Sequence, residues 1–131
     1  KIKKNKINLF VVTNQSGIAR GLYDEKKFSR LQKKIKRFLI KKEIFLDDVR
    51  YCPHHPNQGI KKYKINCKCR KPKNKMFKDL ISYWNIDLKK SLMIGDSSSD
   101  FLAANKSKLK FFYQSNENYS LIQKKFRFIF D

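Results

Sequence analysis

The sequence predicts an α/β domain built on a mainly parallel sheet. Three observations carry that prediction. Short β-branched apolar runs alternate with longer segments of helical period, no internal repeat is visible, and polar, chemistry-bearing residues stand at the carboxyl ends of the apolar runs. At 131 residues the chain has the length of one domain with a single core, and 40% hydrophobic and 14% aromatic content places it among globular rather than disordered chains. No apolar run approaches the roughly 18 residues that span a bilayer, and no signal-peptide pattern opens the sequence. The expectation is one domain over residues 1–131 with no membrane partner.

The elements follow in order. From Ile7 the run Ile-Asn-Leu-Phe-Val-Val-Thr reads as a buried strand that ends in a polar turn, Asn14-Gln15-Ser16-Gly17. Asp24 offers an N-cap to a helix whose apolar residues Phe28, Leu31, Ile35, Phe38 and Leu39 keep the 3.6-residue period, with lysines on the other face. Asp48 to Cys52 is a short second strand entering a Pro- and His-rich loop that runs to about Lys73. Met76, Phe77, Leu80, Ile81 and Trp84 mark a second amphipathic helix, and Ser91 to Ile94 a third strand ending at Gly95-Asp96. Ser99 to Ala104 suggests a short helix and Leu109 to Tyr113 a fourth strand. The tail reads two ways: Leu121, Ile122 and Phe126 suit a helix, whereas residues 126–130 suit a strand.

The formal net charge of +21 invites a nucleic-acid reading. Its composition argues against one. Of the 32 basic residues 26 are lysine and 6 arginine, and arginine is the side chain suited to forked recognition of phosphate and bases. The lysines are spread along the chain, many between the apolar positions of helices, so a solvated surface is expected and no specific nucleic acid. A zinc-stabilised basic nucleic-acid-binding module stays as the alternative from another functional class.

All 3 cysteines lie in one short stretch with both histidines. An odd number so placed points to metal rather than to disulfides, in a reducing, cytoplasmic setting. Cys52-Pro-His54 and Cys67-Lys-Cys69 are two close ligand pairs joined by a loop, and such pairs close a tetrahedral Cys3His zinc site over residues 52–69. His55 in place of His54 would set the ligand one residue further along. No position is left open for water, so the site reads as structural. Thr13 to Gly17 is a row of hydroxyl and amide groups at a strand end, suited to an anionic oxygen. Arg70 and Lys71 follow the metal loop, one able to fork onto a phosphate, the other a compact charge. Asp96 and Asp100, four residues apart at a loop-to-helix start, suit Mg2+; the competing reading is that one of them caps the next helix.

Taken together, Val11-Val12-Thr13-Asn14-Gln15-Ser16-Gly17-Ile18-Ala19-Arg20-Gly21, Cys52-Pro53-His54-His55-Pro56, Cys67-Lys68-Cys69-Arg70-Lys71-Pro72 and Ile94-Gly95-Asp96 with Asp100 resemble the D-glycero-D-manno-heptose 1,7-bisphosphate 7-phosphatase family of the haloacid dehalogenase superfamily. The blocks stand in that family's order across residues 7 to about 105. Histidinol-phosphate phosphatases share the zinc loop but usually differ after Asn-Gln, where this chain reads Ser-Gly-Ile-Ala-Arg-Gly.

The resemblance implies a three-layer, Rossmann-like fold and a cytoplasmic, monomeric hydrolase of a small sugar phosphate, using Mg2+ and Zn2+ in heptose-precursor synthesis. It implies that Thr13 and Lys71 steady the transferring phosphoryl group from two sides. Asn14, Gln15, Ser16 and Arg70 would contact substrate. Asp96 would bind Mg2+ with Asp100 in support, and Cys52, His54, Cys67 and Cys69 would hold zinc.

The family's nucleophile, the first Asp of an Asp-x-Asp-Gly-Thr type motif, has no counterpart here: no Asp-x-Asp occurs. The expectation is a domain incomplete at its N-terminus, lacking the central first strand between those ending at Thr13 and Asp96, and inactive by itself. Asn74-Lys75 stands where Pro-Gly is expected, and Ser97 where a substrate-contacting Lys is expected.

Overall fold

The computed structural model describes residues 7–125; the strand reading of 126–130 lies outside them. The chain divides into two compact units, Lys1–Cys67 and Lys68–Asp131.

In the first unit, β1 (Phe10–Asn14) pairs in parallel with β2 (Asp48–Cys52), with Thr13 opposite Tyr51 and Asn14 opposite Cys52. A parallel pair needs a long crossover, and α1 (Ser16–Ala19) with α2 (Glu25–Lys41) provides it. β1 starts at Phe10 rather than Ile7. Before it, Leu9 N–H donates to the Asp47 side chain at 2.7 Å, while Asp47 N–H donates to the Leu9 carbonyl at 2.9 Å.

The polar turn expected at 14–17 is instead a strand end followed by a single helical turn. Ile18 and Ala19 are fully buried, and that burial favours helix over an open turn. Asp24 caps α2 as expected, its side chain accepting from Lys27 N–H at 2.7 Å. The face of α2 is buried unevenly. Phe28 is 3% exposed and meets the Tyr51 ring at 4.5 Å, whereas Leu31 is 52% exposed and Phe38 is exposed as well.

In the second unit, β3 (Leu92–Gly95) pairs in parallel with β4 (Lys110–Tyr113) across α4 (Ser98–Lys106). α3 (Lys75–Trp84) precedes them and α5 (Asn116–Lys125) follows. α3 buries Met76, Phe77 and Leu80, and ends at Asn85 in the left-handed region (φ 49°), a conformation that asparagine tolerates. α4 presents the fully buried Ala103 and Ala104, whose small side chains let a helix approach its neighbours closely. Ile122 of α5 is buried too, so the helical reading of the tail holds through Lys125. Among the described residues the four strands form two sheets of two strands, β1-β2 and β3-β4.

Candidate functional site

Cys52 ends β2 and is buried; His54 follows two residues later in the loop. The loop returns through a 3₁₀ turn at Lys61–Tyr63 to Cys67 and Cys69. The ligand atoms of Cys52, His54, Cys67 and Cys69 all lie within 4.8 Å of one another. Cys52 Sγ is 3.4 Å from Cys67 Sγ and 3.7 Å from His54 Nδ1. Zn–S bonds of ~2.3 Å in a tetrahedron set sulfurs about 3.8 Å apart, whereas a disulfide holds them at about 2.05 Å. The spacing fits a shared ion, and no disulfide joins the three cysteines. His55 is not in the group. Its Nδ1 accepts from the N–H groups of Asn57 (3.2 Å) and Gln58 (3.0 Å), so it orders the loop instead.

The loop lies on α1. Ile60 N–H donates to the Ala19 carbonyl at 2.8 Å. Gly59, at φ 118°, passes so close that a Cβ there would collide with the same Ala19 carbonyl. Two residues that sequence reasoning missed hold it further. Tyr51 and Tyr63 each donate a hydroxyl hydrogen bond to Glu25, both at 2.7 Å. Those bonds, Tyr63's first and then Tyr51's, lower the Glu25 carboxyl below its ordinary value. Burial, then Glu25, pushes the Tyr51 hydroxyl up to about 12. A contact between residues 26 and 38 positions apart leaves no local pattern to find.

At the end of β1, Thr13 Oγ1 accepts from Gln15 Nε2 at 3.0 Å, and the Tyr23 hydroxyl donates to Gln15 Oε1. Gln15 N–H donates to the Cys52 carbonyl at 2.8 Å, anchoring the turn to β2. Asn14 and Ser16 flank this pair, both half-buried.

In the second unit Arg70 is half-buried and Lys71 buried, with a cis peptide to Pro72. Lys71 Nζ meets Asp100 Oδ1 at 2.5 Å, with both side chains buried. Asp100 Oδ2 accepts from the N–H groups of Asp96 (3.2 Å) and Ser97 (3.3 Å), while Ser97 Oγ accepts from Asp100 N–H. This is a capping box at the start of α4. The capping reading therefore applies to Asp100, which also anchors Lys71. Asp96 stays exposed at the end of β3. Gly95 makes room, since a Cβ there would stand 2.7 Å from Asp100 Cβ. Burial alone would raise the Asp100 carboxyl, but hydrogen bonds from Lys71 and Ser97 outweigh it and hold it below the usual aspartate value. Ser97, standing where a lysine was expected, is the cap itself. Asn74 donates to the Lys106 carbonyl at 3.1 Å, tying the start of α3 to the end of α4.

A HAD-hydrolase-like family model matches residues 68–119, the stretch that holds Arg70, Lys71, Asp96 and Asp100. The D-glycero-beta-D-manno-heptose-1,7-bisphosphate 7-phosphatase of Photorhabdus laumondii is 43% identical over 108 residues, 82% of this chain and 57% of that protein. The Vibrio cholerae enzyme of the same name is 44% identical over 96 residues, 73% of this chain and 52% of its own. Among solved structures, the D,D-heptose 1,7-bisphosphate phosphatase of B. bronchiseptica, complexed with magnesium and phosphate, superposes with a TM-score of 0.74 at 28% identity. That match covers 93% of this chain and 65% of the other. Over residues 68–119 the chain is thus similar to the HAD-hydrolase-like family, and over most of its length it is similar to the heptose bisphosphate phosphatases. It spans about half the length of the curated relatives it matches. The resemblance read from the sequence blocks and the α/β fold class are both borne out. Among the described residues no helix is long and apolar enough to cross a membrane.

Proposed function

We propose that this chain carries the phosphate-positioning part of a magnesium-dependent phosphoric monoester hydrolase. Its proposed substrate is D-glycero-D-manno-heptose 1,7-bisphosphate, from which the 7-phosphate is released. The buried Lys71–Asp100 pair carries the reading. A cation fixed by a buried carboxylate, beside the exposed Asp96, keeps its place as a phosphoryl group arrives, and phosphoryl transfer depends on such fixed charge more than on covalent machinery.

In this reading Thr13 donates its hydroxyl proton to a phosphoryl oxygen. That hydroxyl accepts from the Gln15 amide at 3.0 Å and donates a long 3.4 Å bond to the Asn14 carbonyl, which it would exchange for the phosphoryl oxygen. Lys71 neutralises the transferring group from the other side, and Arg70, Asn14, Gln15 and Ser16 bind the remainder of the substrate. Asp96 offers one carboxylate to Mg2+, an ion commonly held by one or two carboxylates together with waters and phosphate oxygens, and the bound ion would offset phosphate charge. The Cys3His group would hold zinc as a structural ion. No Asp-x-Asp motif in residues 1–131 supplies the attacking carboxylate, which in this reading lies on another strand of the same domain. The protein acts as a cytoplasmic monomer, where thiolates stay reduced.

The test is a chimera that joins the N-terminal segment of the Photorhabdus relative in frame ahead of this chain. It is expected to release one phosphate from the heptose bisphosphate in the presence of Mg2+, faster than from histidinol phosphate. Lys71→Ala and Thr13→Ala are each expected to lower kcat about 10²–10³-fold. A folded, metal-loaded chimera that hydrolyses no phosphomonoester would overturn the reading.

A further inference from the structure

Glu25 occupies the first turn of α2, directly after the Asp24 cap. Its two carboxylate oxygens are used by two different limbs of the metal loop. Oε1 accepts from Tyr51, the residue directly before Cys52 on β2, and Oε2 accepts from Tyr63, four residues before Cys67. The Tyr63 limb is also joined to the histidine segment. His55 N–H donates to the Tyr63 carbonyl at 3.0 Å, Ile65 N–H donates to the His55 carbonyl at 3.1 Å, and the Tyr63 ring lies 6.3 Å from that of His54. Glu25 is not itself among the grouped ligands.

We propose that Glu25 is a positioning residue for the metal site: its carboxylate draws the outgoing and returning limbs of the loop together before the ion binds. The inference rests on the metal reading of the Cys3His group. Four ligands divided between two ends of a loop have to be gathered, and gathering them costs loop-closure entropy. Two hydroxyl–carboxylate bonds across that loop meet part of the cost in the metal-free protein. An ion then enters a site whose ligand pairs already face one another, and leaves more slowly. Residues that orient metal ligands typically alter affinity by about 10–100-fold.

The probe is Co2+, whose thiolate absorption reports the ligand set directly. The chain is loaded with Co2+ and its loss to excess chelator is timed for wild type, Glu25→Gln, and the double variant Tyr51→Phe/Tyr63→Phe. The phenylalanines keep the ring packing and delete only the hydroxyls. Both variants are expected to bind Co2+ with an unchanged spectrum and to lose it at least ~10-fold faster, while limited proteolysis cuts their metal-free loops sooner. Asp24→Ala is the control, because it weakens the start of α2 but leaves the carboxylate; its cobalt loss is expected within about two-fold of wild type. Wild-type chain that takes up no Co2+ overturns the metal reading and the Glu25 role with it. Wild type that holds Co2+ while the variants stay within two-fold overturns the Glu25 role alone, as does an Asp24→Ala control that loses cobalt as fast as they do.

Discussion

The two units fix their functional side chains by different means. In the first, the metal loop is held by hydrogen bonds to α1 and α2, and α2 buries only Phe28 of its apolar face. In the second, α3 buries three apolar side chains and a buried ion pair is built into the helix cap beside the site. Both helices have the same 3.6-residue apolar pattern. Period alone therefore says that a helix has a face, and tertiary packing says how much of that face is covered.

The largest difference is expected from the ion pair. Asp100→Ala leaves Lys71 buried without its carboxylate and α4 without half of its capping box, and is expected to cost about 3–5 kcal/mol in denaturant unfolding. The pair also gives a pH signature. Asp100 titrates below its unfolded value, so its contribution is complete above the ordinary aspartate range and is lost as pH falls through the depressed value. Tyr51 behaves in the opposite sense: raised to about 12, it contributes fully below the ordinary tyrosine range and is lost as pH rises through that value. Acid unfolding is expected to become less pH-dependent in Asp100→Ala. An unchanged acid limb would show that other carboxylates dominate.

Next comes a matched pair of leucines. Leu80 on α3 is 4% exposed, so Leu80→Ala is expected to cost about 2–5 kcal/mol. Leu31→Ala on α2 is expected to stay within about 0.5 kcal/mol. Equal costs, measured by chemical unfolding, would mean that something outside the described residues covers α2. The smallest effect is one the two units share. Asp24→Ala and Ser97→Ala each remove one cap and are expected to cost about 1 kcal/mol. Capping is local, so the tertiary surroundings that separate the two leucines leave the caps alike; a gap of several kcal/mol between them would contradict that.

Much of the site was legible in the sequence because its parts are local. Cys52-Pro-His54 and Cys67-Lys-Cys69 carry their ligand spacing within single turns, and Asp24 and Ser97 cap the helices they precede. The role of Asp100 was open between metal support and capping, since four residues between carboxylates suit both. The short helix at Ser16–Ala19 was read as a turn, because its polar start hides the burial of Ile18 and Ala19. Tyr23, Tyr51, Tyr63 and Glu25 went unnoticed, since a hydroxyl that meets a partner eight to thirty-eight residues away has no periodic signature.

By itself the sequence determined the α/β class, most of the strands and helices in order, the Cys-His ligand spacing, and the resemblance to the heptose bisphosphate phosphatases, because ligand spacing, caps and hydrophobic period act over a few residues. Tertiary structure alone decided that Asp100 turns both oxygens inward to Lys71 and the backbone, and that one glutamate joins both limbs of the metal loop. Each of those outcomes depends on which distant groups the folded backbone brings within about 3 Å, the reach of a hydrogen bond.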